Sequence, residues 1–126
     1  MTTDDSSIEP AIQVQASVAF QKNLRILNKR YRSLRHEVAL LIEQLQSGEL
    51  PGDQIPNISC EVYKVRIRNR DAQKGKSGGF RAIYYVKRPT SLLLITLYSK
   101  SDQGDISADE IYRIISAAEP ESSDNG

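Results

Sequence analysis

Residues 61–69, EVYKVRIRN, set Lys64, Arg66 and Arg68 at every second position, with Tyr63, Val65 and Ile67 between them. In an extended strand this alternation puts three cations on one face, about 6.5–7 Å apart, and the apolar residues on the other. Arg81, on the next extended stretch, adds a fourth cation beside them. Solubility is served by mixed signs, whereas cations crowded together repel unless an anion occupies the space between them. The chemistry this pattern suits is phosphate binding. Crowding and partial burial also favour the neutral form of a lysine, which makes Lys64 a candidate proton acceptor.

Charge along the rest of the chain points the same way. The formal net charge is only +1, from 17 Lys and Arg against 16 Asp and Glu, but the acids gather at the ends. Residues 11–118 hold 17 bases against 10 acids. Residues 61–88 alone contain nine bases, Lys64, Arg66, Arg68, Arg70, Lys74, Lys76, Arg81, Lys87 and Arg88, against Glu61 and Asp71. A field of that sign and density attracts a polyanion, and nucleic acid is the commonest one.

Other chemistry is poorly supported. GKSGG at 75–79 resembles a phosphate loop, but a Walker A motif needs a glycine five residues before Gly75, and that position is Arg70. Residues 70–79 read instead as a flexible basic loop whose Lys74 and Lys76 reach toward a phosphate backbone. The lone histidine, His36, falls off the apolar stripe of its helix, and the lone cysteine, Cys60, sits at a loop-to-strand boundary. One His and one Cys make no zinc set and no Ser–His–Asp or Cys–His arrangement. Tyr98, Lys100, Asp102 and Asp105 gather where the last strand opens into a loop, a common position for functional groups, although Asp and Ser ahead of a helix also serve as caps.

The elements that must position these residues follow from periodicity. Alternation over 12–18 predicts a strand. From Phe20 the apolar positions are spaced alternately four and three as far as Leu45, a single helical stripe that Gly48 ends. A rod of that length leaves a small domain without a second layer, so a break near Tyr31 to Ser33 is expected, with Ser33 capping the second arm of a helical hairpin of about 18–30 and 33–47. A loop of Pro51, Gly52, Pro56 and Asn57 leads to strands at about 61–69, 80–87 and 91–98, the last apolar on both faces as a covered strand should be. A final helix begins near Ser107 and faces Ile111, Ile114 and Ile115 inward.

The 126 residues, 39% hydrophobic and 26% charged, fit one ordinary globular domain over 11–118, flanked by acidic mobile tails at 1–10 and 119–126. No apolar run is long enough to span a membrane and the N-terminus lacks the order of a signal peptide, so a cytoplasmic protein is expected.

The element order, with YKVRIRN, GKSGGFRAIYYV and LLLITLYSKSDQGDIS, resembles the RelE/ParE superfamily of bacterial type II toxins, most closely its RelE branch, over about residues 12–117. The resemblance implies an α+β fold: a small twisted antiparallel sheet with an N-terminal helical hairpin packed on it, and a C-terminal helix. RelE-like members cut messenger RNA on the ribosome. The substrate's 2′-hydroxyl attacks the adjacent phosphate to give a cyclic phosphate, so the enzyme must accept a proton, stabilise added negative charge and protonate the leaving oxygen, which cations can largely do without a metal.

On the family pattern Lys64 and Arg66 fall on the basic strand pair, and Arg81 on the arginine of the Gly-aromatic-Arg motif. After the last strand, where classical members place a second arginine and a tyrosine, or a histidine and a tyrosine, this chain reads Ser99, Lys100, Ser101, Asp102, Gln103. Lys100 is the cation available there, and Tyr98 or Tyr85 the aromatic. The resemblance therefore implies a ribosome-dependent endoribonuclease with Lys64, Arg66, Arg81 and Lys100 as catalytic residues. Arg68, Lys74, Lys76, Tyr85 and Tyr98 would bind RNA. No metal or small-molecule cofactor is expected; the partners would be a cognate antitoxin, messenger RNA and the ribosome, with no membrane. The alternatives are a ParE-like gyrase-inhibiting toxin and a noncatalytic RNA- or protein-binding member of the same fold.

Overall fold

The computed structural model describes residues 12–69, 79–101 and 103–118. Both acidic tails, most of the basic loop with Lys74 and Lys76, and Asp102 lie outside the described residues.

The first alternating stretch forms β1 (Gln13–Ala16), and Ser17 then starts α1 (Val18–Arg30). The Ser17 hydroxyl accepts from the Phe20 amide at 3.0 Å and donates to the Ile95 carbonyl at 2.6 Å. One buried side chain thus satisfies an orphan donor of the helix start and an acceptor on a neighbouring strand; a cap of this kind contributes about 1 kcal/mol.

The helical stripe breaks where the sequence predicts. α1 ends at Arg30, Tyr31 leaves helical geometry at φ −126° and ψ 85°, and α2 (Leu34–Gln46) resumes the stripe. Ser33 occupies the start of α2 without making a side-chain cap, because its backbone is already helical at φ −81° and ψ −6°, whereas a capping residue is extended. Asn28 at the end of α1 supplies the acceptor instead, taking the Arg35 amide at 3.1 Å. The hairpin's inward positions, Phe20, Leu27, Leu34, Val38, Leu41 and Leu45, are all buried.

The sheet adds β2 (Asp53–Gln54), β3 (Val62–Ile67), β4 (Phe80–Arg88) and β5 (Ser91–Ser99) in the order β1-β5-β4-β3-β2, and α3 (Ala108–Ala118) closes the chain. β2 to β5 form the antiparallel body, as expected. β1 joins β5 in parallel at the edge, so the sheet is mixed, and the two-residue β2 lies in a stretch that reads as loop.

Two cores form on the two faces. The hairpin packs on Ile67, Phe80, Ala82, Tyr84, Leu92, Leu94 and Leu97. On the other face Ile111 and Ile115 of α3 pack with Val62, Ile83, Leu93 and Ile95. β5 lies between both, buried from Leu92 to Ser99, which is why its sequence is apolar on both sides. The architecture is α+β with an N-terminal helical hairpin and a C-terminal helix. No helix among the described residues is long and apolar enough to cross a membrane.

Candidate nucleic-acid interface

Because Tyr63, Val65 and Ile67 pack toward the hairpin, alternation turns Lys64 and Arg66 to the α3 face of β3. On β4 the neighbours Phe80 and Ala82 face the hairpin, which turns Arg81 to the same side. Strand register then decides which of these meet. Arg66 pairs directly with Arg81, and Arg81 pairs directly with Tyr98 of β5, so the three form one row across the sheet. Lys64 sits one step along the same face, opposite Ile83. Directly opposed residues on antiparallel strands have Cβ atoms about 4.5–5.5 Å apart, close enough for one phosphate to engage both guanidinium groups.

The loop after β5 reaches this row. Asp105 Oδ1 lies 3.2 Å from Lys64 Nζ, with the lysine side chain 34% and the aspartate side chain 72% exposed. The Lys100 amide donates to the Gly79 carbonyl at 2.9 Å, placing exposed Lys100 at the end of the β4–β5 ladder, two residues beyond Tyr98. Arg66 and Arg68 are exposed and Arg81 is partly exposed, with Nη1 donating to the Phe80 carbonyl at 3.3 Å.

Two expected RNA-binding aromatics are placed differently. Tyr85 is four residues from Arg81, about 13 Å along β4. It packs in the α3-side core opposite Val62, one diagonal step from Lys64 and away from the Arg66–Arg81 pair. Tyr98 is in the row but only 4% exposed, so its ring presents no face for a base to stack on. Burial pushes its hydroxyl above the usual tyrosine range, nearby Asp105 adds to the shift and Arg81 opposes it.

The Tyr98 hydroxyl is fully enclosed and has no hydrogen-bond partner among the described residues. Leaving such a group unpaired costs about 1–3 kcal/mol, so Tyr98→Phe is expected to raise stability by about 1 kcal/mol in thermal or denaturant unfolding. A lowered midpoint would mean that the hydroxyl has a partner after all.

The residue that sequence reasoning left out of the site is Asp105. Its place in the strand-end cluster was visible, but its contact with Lys64 spans 41 positions of sequence, and no periodic signal covers that distance.

No curated protein matched the sequence. Among solved structures, TrmO from Pseudomonas aeruginosa is similar at 20% identity with a TM-score of 0.46; the likeness covers 72% of this chain and 37% of that one, too distant to bear on function. The family model described as "RelE toxin of RelE / RelB toxin-antitoxin system" matches residues 22–122, from the first turns of the hairpin to beyond α3 and across the whole cationic row. The chain therefore belongs to the RelE toxin family of toxin–antitoxin systems.

Proposed function

We propose that this toxin is a ribosome-dependent messenger RNA endoribonuclease that represses translation in the cytoplasm and is held in check by a cognate antitoxin. The observation that carries the reading is the register that sets Arg66 against Arg81 with Lys64 on the same face. Attack of a 2′-hydroxyl on the adjacent phosphate concentrates negative charge on the phosphoryl oxygens, and fixed cations lower that barrier more in the transition state than in the ground state. In this reading Arg66 and Arg81 clamp the phosphate, Lys64 supplies a third charge and Lys100 supports them from the strand end. Its 3.2 Å contact with Asp105 supports a role for Lys64 as phosphate ligand rather than as the proton acceptor. Arg68, with Lys74 and Lys76, would extend the contact along the RNA backbone, and no metal or cofactor is assigned.

The test is induction of the toxin in a host, with mapping of messenger RNA 5′ ends with and without active translation. New ends confined to translated regions are the expected result. Growth arrest with intact messages and broken chromosomal DNA would instead favour a gyrase-directed toxin.

A further inference from the structure

The attacking 2′-hydroxyl must give up a proton, and among the described residues the Arg66–Arg81–Tyr98 row offers no group suited to take it. Arg66 and Arg81 remain charged. Tyr98 is buried, and its hydroxyl keeps its own proton to higher pH than usual. His36 is on α2, in the hairpin that covers the opposite face of the sheet. Asp105 is different: it is an acceptor, it is open to solvent, and it lies 3.2 Å from Lys64, one step from the row on the same face. Its backbone is fixed on the side of α3, where Ile106 packs into the core and the Ser107 hydroxyl accepts the Glu110 amide at 3.1 Å. An ion pair this exposed adds little to stability, so its effect is on orientation: Lys64 holds one carboxylate oxygen and leaves the other for a substrate.

We infer that Asp105 is the proton acceptor of the site, positioned by Lys64 at the edge of the Arg66–Arg81 phosphate clamp. The inference rests on the endoribonuclease reading and deepens it. As the 2′-oxygen forms its bond to phosphorus, the 2′-O–H proton passes to the Asp105 carboxylate. The bond from phosphorus to the 5′-oxygen breaks with its electron pair on that oxygen, which takes a proton from solvent water at this open face. The hydroxide left behind recovers the proton from Asp105, and the products are a 2′,3′-cyclic phosphate and a 5′-hydroxyl.

The experiment compares the parent with Asp105→Asn and Asp105→Glu, reading single-turnover cleavage of a message on translating ribosomes and, separately, ribosome binding. Asn keeps the size and the hydrogen bond to Lys64 but is no proton acceptor, and the position is exposed enough for both variants to fold, which thermal unfolding checks. The expected result is a loss of about 10²–10⁴-fold in cleavage for Asp105→Asn, with binding unchanged or tighter, and partial recovery in Asp105→Glu. Cleavage by Asp105→Asn within tenfold of the parent overturns the role, as does a loss explained wholly by weaker binding. Faster cleavage also overturns it, since the carboxylate would then be competing with the phosphate for Lys64. A parent that cleaves nothing in this assay removes the endoribonuclease reading itself, an outcome distinct from an active parent with an equally active Asp105→Asn.

Discussion

Arg81→Ala is expected to fold like the parent and to lose growth arrest, with cleavage slowed by about 10²–10³-fold. Arg81 stands at the middle of the row, paired on one side with Arg66 and on the other with Tyr98. Its truncation opens a gap at the centre of the clamp that neither Lys64 nor Lys100 is placed to fill. Removing one preorganised donor to a developing oxyanion costs about 2.7–4 kcal/mol of barrier, which is the source of the rate estimate. The fold should tolerate the change, because the side chain is partly exposed and β4 is held by backbone pairing to both neighbours and by Phe80, Ala82 and Tyr84 on the hairpin side. Arg81→Lys should recover only part of the activity, since an ammonium supplies the charge without the two-pronged geometry. A folded Arg81→Ala protein as toxic as the parent would remove Arg81 from the site.

The reason so much of this fold is legible lies in two periods. A period of two placed β1 and β3, a run apolar on both faces placed β5, and the alternating four-and-three spacing from Phe20 to Leu45 placed both arms of the hairpin. β2 carries no such signal: Asp53 and Gln54 are both exposed, and only their pairing with Lys64 and Tyr63 makes them a strand. Nor does alternation carry direction. Gln13 and Val14 would alternate equally well against an antiparallel neighbour, and the parallel pairing with Ser91 and Leu92 is set by the helical hairpin that carries the chain across the sheet before it returns.

For the site, composition and spacing reveal which residues are cationic and which face they share, but not which of them touch. Arg66 stands directly opposite Arg81 because of strand register, a tertiary property fixed by which apolar residues share the hairpin face. Tyr98 shows the converse. An aromatic near a basic cluster reads as a stacking platform, yet it lies on the most covered strand of the sheet, and cover on both faces takes its ring out of reach.

Gly52→Ala is expected to destabilise the protein by about 2–5 kcal/mol, a large share of the roughly 5–15 kcal/mol that holds a domain of this kind folded. Two terms add. Gly52 has φ +95°, a conformation that costs an L-residue about 1–2 kcal/mol. The added methyl would also overlap the Lys64 carbonyl oxygen and lie 2.9 Å from Val65 Cβ, both on β3, and overpacking of this type costs about 1–3 kcal/mol. The neighbour is strand backbone, which cannot swing aside like the tip of a long side chain. Relief requires β2 to peel from β3, and β2 is held by two residue pairs, Asp53 with Lys64 and Gln54 with Tyr63. Gly48→Ala separates the two terms: Gly48 has a nearly equal φ of +99° but open space around its Cβ direction, so it should lose only the conformational part. Denaturant unfolding of the two variants therefore measures the contact by difference. Equal losses would mean that β3 yields freely beside Gly52, and that the strand carrying Lys64 and Arg66 is not braced from that side.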